Sequence, residues 1–195
     1  MRRLYKQGLT TTSGGNISIR ANDDIIIISP SGTDKGRMKW KEAGIMNMLG
    51  ENLTPELKLS TEYEMHLMIY RIRQDVNAIV HAHPLFSTSF TAMKHSIDTS
   101  LTAEARAICG EPRLVPYALT GTKELAELAA ENIEHSDILL LENHGILTTG
   151  AGILEAFDRL EVLEQAAKMT LITELCGRKK PLGKIRLREL DRMFR

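Results

Sequence analysis

Residues 76–84 read VNAIVHAHP, an alternation that puts Asn77, Ile79, His81 and His83 on one side and Ala78, Val80 and Ala82 on the other. Successive side chains of a strand point to opposite faces, so the segment predicts a strand that stops before Pro84 and projects His81 and His83 together. Two imidazoles so placed can reach one divalent ion, and Pro84 ends the strand just beyond, where a site opens to substrate. The bland alternative is a pair of surface or satisfied core histidines, and HxH alone does not decide between them.

Working outward, residues 60–73 (STEYEMHLMIYRIR) repeat Met65, Met68, Ile69 and Ile72 at helical spacing, with Ser60 or Thr61 placed as an N-cap. Glu62 opens that helix with Met65 and Ile69 on its inner face, so its carboxylate should point inward toward a charge partner or a transferable proton. The plain alternative is an early-helix acid favoured by the macrodipole. Beyond the strand, a short helix is expected through Phe90 and Met93, buried strands at 114–117 and 138–141, a helix from Lys123 to about Glu134, and a return strand at 145–149. Residues 153–176 carry Ala156, Leu160, Leu163, Ala167, Leu171 and Leu175 as a long amphipathic helix ended by Gly177 and Pro181, and 187–195 read as a short terminal helix. Upstream, 10–20 (TTTSGGNISIR) is a loop entering a strand, and 25–28 is an apolar run before the turn residues of 29–36, SPSGTDKG. Helices and strands intermix without repeat or linker, which predicts one α/β domain spanning 1–195.

A third histidine, His144, lies in the polar ENHG that ends the apolar run 138–141. Either it is incidental to a turn in which Asn143 and Gly145 take left-handed angles, or it is a third ligand. Three neutral imidazoles would leave a coordination position open, as in a catalytic rather than a structural zinc site. His66, one turn after Glu62, is expected to pack or hydrogen-bond in the core, and His95 and His135 sit in polar surroundings.

The chain has 195 residues, 43% of them hydrophobic, with 25 Lys plus Arg against 25 Asp plus Glu. That balance favours neither nucleic acid nor a membrane surface, so anion recognition must be local. The two cysteines, Cys109 and Cys176, form no disulfide framework, and no stretch resembles a signal core or a spanning helix. A cytoplasmic protein is expected.

In this order, SGGNIS at 13–18, SPSG at 29–32, STE at 60–62, HAHP at 81–84, VPY at 115–117 and ENHG at 142–145 resemble the class II aldolase and adducin family. The resemblance implies a three-layer α/β/α domain with a mostly antiparallel central sheet flanked by helices, assembled as a homotetramer with active sites between subunits. It places His81, His83 and His144 on the metal ligands, and Glu62 on the proton carrier that is a further ligand without substrate. It places Gly15, Asn16, Ser31, Gly32, Ser60 and Thr61 around a substrate phosphate, where glycines admit backbone N–H groups and hydroxyls donate. The implied cofactor is Zn2+, with Mn2+, Co2+ or Ni2+ as alternatives. The implied partner is a small sugar phosphate, and the implied activity is cleavage of a ketose 1-phosphate such as L-fuculose 1-phosphate to dihydroxyacetone phosphate and an aldehyde. Alternatives are an L-ribulose-5-phosphate 4-epimerase, a methylthioribulose-1-phosphate dehydratase, or a metal-free adducin-like interaction domain. Epimerases carry aspartate where STE puts Glu62, which leans the reading toward aldolases. The family's aldolase tyrosine is not found; Glu104 stands near its place. The N-terminal helix of relatives is expected to be missing or shortened.

Overall fold

The alternation of residues 76–84 builds the centre of the sheet. In the computed structural model, which describes residues 1–194, Ala78–Ala82 is strand β4, fully buried, lying between β1 (Asn16–Arg20) and β7 (Gly145–Gly150). With β2 (Ile25–Ile28), β3 (Gly44–Asn47), β5 (Arg113–Val115) and β6 (Ile138–Leu141) they form a seven-stranded sheet in the order β3-β2-β1-β4-β7-β6-β5. Every adjacent pair is antiparallel except β5 and β6.

The two faces of β4 enter different cores, as its pattern requires. Ala78, Val80 and Ala82 pack under α1 (Arg2–Lys6), α3 (Leu85–Thr91), α4 (Ala103–Cys109) and α6 (Ile153–Cys176). Ile79 packs with β2, β6, α2 (Tyr63–Ile72) and α5 (Lys123–Ile133) on the opposite side. The result is the expected helix–sheet–helix layering. α7 (Lys184–Phe194) adds to α4 with no buried residue. Among the described residues no helix is long and apolar enough to cross a membrane.

Four expectations need correction. The N-cap of α2 is Glu62, not Ser60 or Thr61; the Ser60 hydroxyl instead accepts from the Glu62 N–H at 3.3 Å, which holds the chain in a turn just before the helix. The strand expected over 114–117 is the shorter edge strand β5, with Leu114 and Tyr117 exposed because nothing pairs beyond it. The apolar stripe of α6 runs past the core, leaving Leu175 on the surface while its members Ala156, Leu160, Leu163 and Ala167 are buried. The last helix starts earlier than expected, at Lys184, and Arg195 lies outside the described residues.

Candidate metal and proton-transfer site

The site forms where β4 and the β6–β7 turn end side by side. His81 is on β4 and fully buried; His83 follows two residues on, just before Pro84 caps α3. His144 occupies the last position of the turn from β6 to β7. That turn is closed by the His144 N–H donating to Leu141 O at 3.0 Å, and it is tied to α3 by the Asn143 N–H donating to Thr91 O at 3.2 Å. Asn143 takes the left-handed angle expected of it, φ 51°, but Gly145 does not. Gly145 is required for another reason: a Cβ there would lie 2.4 Å from His83 Cδ2 and 3.2 Å from His81 Cε1.

His81, His83 and His144 converge, each offering a ring nitrogen, with these atoms all within 4.8 Å of one another. His81 Nδ1 meets the Ile146 carbonyl at 2.9 Å. A carbonyl only accepts, so Nδ1 carries a proton and Nε2 is the nitrogen turned toward the cluster. His83 Nε2 faces His81 Nε2 at 3.1 Å, and buried His144 Nδ1 has no hydrogen-bond partner among the described residues. Burial lowers the pKa of His83 to about 3 and of His144 to about 4, so both are neutral near pH 7. Three imidazoles whose ring nitrogens gather this closely fit a divalent ion.

Glu62 completes the group. Its carboxylate, 7% exposed, lies 3.3 Å from His81 Nε2 and 3.2 Å from His144 Nε2. Asn16 Nδ2 donates to Oε2 at 2.7 Å and Thr120 Oγ1 donates to Oε1 at 2.9 Å. Burial alone would raise the pKa of this acid; the His81 and His144 rings and the two donors outweigh it and hold the pKa at about 2.

The residues expected around a phosphate lie on three loops brought together beside Glu62. Gly15, at φ 66°, passes over β4 so closely that a Cβ would sit 2.6 Å from His81 O, and a Cβ on Gly14 would sit 2.9 Å from His83 Nδ1. The Ser31 N–H donates to Lys58 O at 2.8 Å, and a bridge between Pro30 and Leu59 sets the turn carrying Ser31 and Gly32 beside Ser60 and Thr61. Lys35, 2% exposed, joins the first two loops: its N–H donates to Thr12 O at 2.8 Å and its Nζ to Pro30 O at 2.6 Å. The side chain of Asn16 does not face outward, since both ends of its amide are engaged within the core. Glu104 is exposed on the first turn of α4 and lies outside the cluster, and His95 and His135 are exposed. His66 is in the core, as expected. Sequence reasoning missed Thr120, which carried no local signal.

The chain belongs to the family described as Class II Aldolase and Adducin N-terminal domain, whose profile matches residues 1–171. It is 36% identical over 174 residues to an L-fuculose phosphate aldolase of Methanocaldococcus jannaschii, a match covering 89% of this chain and 93% of that protein. It is 33% identical over 195 residues to a 5-deoxy-D-ribulose 1-phosphate aldolase of Bacillus thuringiensis serovar kurstaki, covering 99% and 91%. A 3-oxo-tetronate 4-phosphate decarboxylase of Haemophilus influenzae is 30% identical over 86% of this chain and 81% of its own length. Among solved structures, an L-fuculose 1-phosphate aldolase superposes with a TM-score of 0.90 at 32% identity, covering 99% of this chain and 91% of that one.

Proposed function

We propose that this chain, acting as one domain, is a metal-dependent aldolase that reversibly cleaves a ketose 1-phosphate, of the L-fuculose 1-phosphate type, to dihydroxyacetone phosphate and an aldehyde. The observation that carries the reading is the ionised Glu62 carboxylate lying against two of three converging imidazoles. His81, His83 and His144 hold the ion, for which zinc suits three nitrogen donors best, with manganese, cobalt and nickel as alternatives. A bound ion would supply Lewis-acid withdrawal of charge from the substrate carbonyl oxygen. Glu62, an acceptor on both oxygens, takes the proton from the carbon beside that carbonyl in the condensing direction and returns it in cleavage. Gly15, Ser31, Gly32, Ser60 and Thr61 bind the phosphate through N–H and hydroxyl donors, and Asn16 contributes its main chain, because its amide is committed to Glu62. The assembly proposed is a homotetramer with active sites between subunits; Glu104, exposed on α4 and off the cluster of its own chain, is assigned no role. We assign the protein to the cytoplasm, which suits a chain with two cysteines, buried Cys109 and exposed Cys176, far apart in sequence.

The decarboxylase relative supports a second reading, because loss of carbon dioxide from a 3-oxo acid leaves the same charge beside a carbonyl and needs the same proton carrier. Epimerisation, dehydration and a metal-free binding role are the remaining alternatives; the intact three-imidazole cluster speaks against the last. The test is a panel of ketose 1- and 5-phosphates and a 3-oxo acid 4-phosphate, with metal-loaded and chelator-stripped protein. Release of dihydroxyacetone phosphate from a ketose 1-phosphate, abolished by chelation and by His81→Ala with His83→Ala, is expected. Carbon dioxide release, dehydration or pentulose epimerisation in its place would move the assignment, and full cleavage by the double variant would end it.

A further inference from the structure

Behind Glu62 runs a string of polar side chains that neither the metal nor the phosphate accounts for. Tyr70 OH lies 2.8 Å from Ser18 Oγ; Ser18 Oγ lies 2.6 Å from His66 Nδ1; His66 Nε2 lies 2.5 Å from Asn16 Oδ1; and Asn16 Nδ2 reaches Glu62 Oε2 at 2.7 Å. Tyr70 and His66 are fully buried, Ser18 is 1% and Asn16 3% exposed, and the string crosses an apolar layer that includes Ile69, Ile79 and Leu147. Polar groups in such a layer are costly unless every one is paired, and here none of the five is among the buried atoms without a partner.

The direction of each hydrogen bond follows from one end. A carboxylate only accepts, so the Asn16 NH2 donates to Glu62, and rotating the amide by half a turn would set its oxygen against the carboxylate. Asn16 Oδ1 then accepts, which requires a proton on His66 Nε2. Among the described residues the fully buried ring meets only the Asn16 amide oxygen and the Ser18 hydroxyl, with no carboxylate against it, so with Nε2 protonated Nδ1 is bare and takes the Ser18 hydroxyl proton. Ser18, its proton spent, accepts from Tyr70. All the donors point toward Glu62, and the chain of bonds moves no proton: it is a fixed brace. It holds Oε2 from within the core, while Oε1 meets exposed Thr120 Oγ1 at 2.9 Å and the half-buried His144 ring at 3.2 Å.

We propose that His66 is a positioning residue that locks the Asn16 amide, anchoring Glu62 by Oε2 and leaving Oε1 as the oxygen that exchanges the proton with substrate. The inference rests on Glu62 being the proton carrier of the proposed function, but its first test does not need activity. Long-range proton–nitrogen NMR on metal-free protein, with the His66 signals assigned by their loss in His66→Gln, should show a neutral ring protonated at Nε2 near pH 7. A ring protonated at Nδ1, or at both nitrogens, overturns the brace whatever the enzyme catalyses. The second test is kinetic. His66→Leu should keep wild-type metal stoichiometry and KM within about twofold while kcat falls roughly 10- to 100-fold, the range for losing a partner behind an active group. His66→Gln, whose amide can present an N–H near the position of Nε2, should recover most of that loss. Where the leucine variant does not fold, Ser18→Ala carries the test: it frees His66 to change tautomer and should lower kcat more than Tyr70→Phe, which leaves the Ser18 donor in place. Equal kcat in folded His66→Leu or Ser18→Ala and wild type overturns the proposal; a wild type with the expected tautomer and bound metal but no activity on the panel overturns the function instead.

Discussion

Gly145→Ala tests the geometry at its tightest point. The added methyl would lie 2.4 Å from His83 Cδ2, 2.8 Å from Ala82 O and 3.2 Å from His81 Cε1. Carbon atoms in contact prefer about 3.5–4.0 Å, so the His83 ring must retreat by roughly 1 Å. The Ala82 carbonyl cannot give way as easily, since Ala82 pairs with Ile146 in the sheet. Metal–ligand distances tolerate only about 0.2 Å, so the variant should lose ~10- to 100-fold in metal affinity, and the metal-free fold should lose ~1–3 kcal/mol from overpacking. Competition against a chromophoric chelator gives the first quantity and denaturant unfolding the second. Gly152→Ala is the matched control, because a Cβ there meets nothing within 4 Å and its backbone is extended. A Gly145→Ala protein that binds metal as tightly as the Gly152→Ala protein would refute the claim that both imidazoles rest against this glycine.

Glu164, 3% exposed on α6, accepts from the Phe86 N–H at 3.1 Å, the Ser87 N–H at 2.8 Å and the Ser87 hydroxyl at 2.9 Å, capping α3 where Pro84 offers no side-chain cap. Glu164→Ala should therefore cost about 3 kcal/mol and lower Tm by roughly 6–12 °C, and a calorimetric loss under 1 kcal/mol would contradict this. His66, His83 and His144 have folded pKa values lowered by burial to about 3, 3 and 4, so below about pH 6.5 the unfolded chain binds protons that the folded chain refuses. Stability of metal-free protein should be full above pH 6.5 and fall with acidification, by up to ~1.4 kcal/mol per pH unit for each histidine; below about pH 4.5 Glu62, with its pKa held at about 2, steepens the fall. Urea midpoints that stay level from pH 7 to pH 5 would be inconsistent with buried neutral imidazoles.

Much of the site was legible because its residues obey local rules. The alternation around His81 told which face each side chain takes, since a central strand between two cores has no freedom to do otherwise. Glu62 was legible as an inward acid from its spacing to Met65 and Ile69. β3 and α4 were not: GIMN is too short for a period to show, and AEARAIC has too few large apolar residues to mark a face. The helix start at Glu62 was misplaced by one or two residues because hydroxyls at Ser60 and Thr61 outcompete it as capping types. The brace through Asn16 and His66 and the cap from Glu164 join residues 50 and 77 to 78 positions apart, and packing alone decides such pairings. Glu164 left one trace, an acid on the buried arc of α6 between Leu160 and Ala167.

His81 stands opposite Asn16 on one neighbouring strand and Leu147 on the other. Sliding β4 by a single residue would swap its two faces and send this imidazole into the aliphatic layer beneath α6. A cation that requires all three rings thus recognises only the properly aligned sheet, and by mass action withdraws misaligned chains from the population. Loading such an ion would act as a proofreader of strand alignment, with its influence greatest while the long-range pairings of β1 and β7 to β4 are still being made.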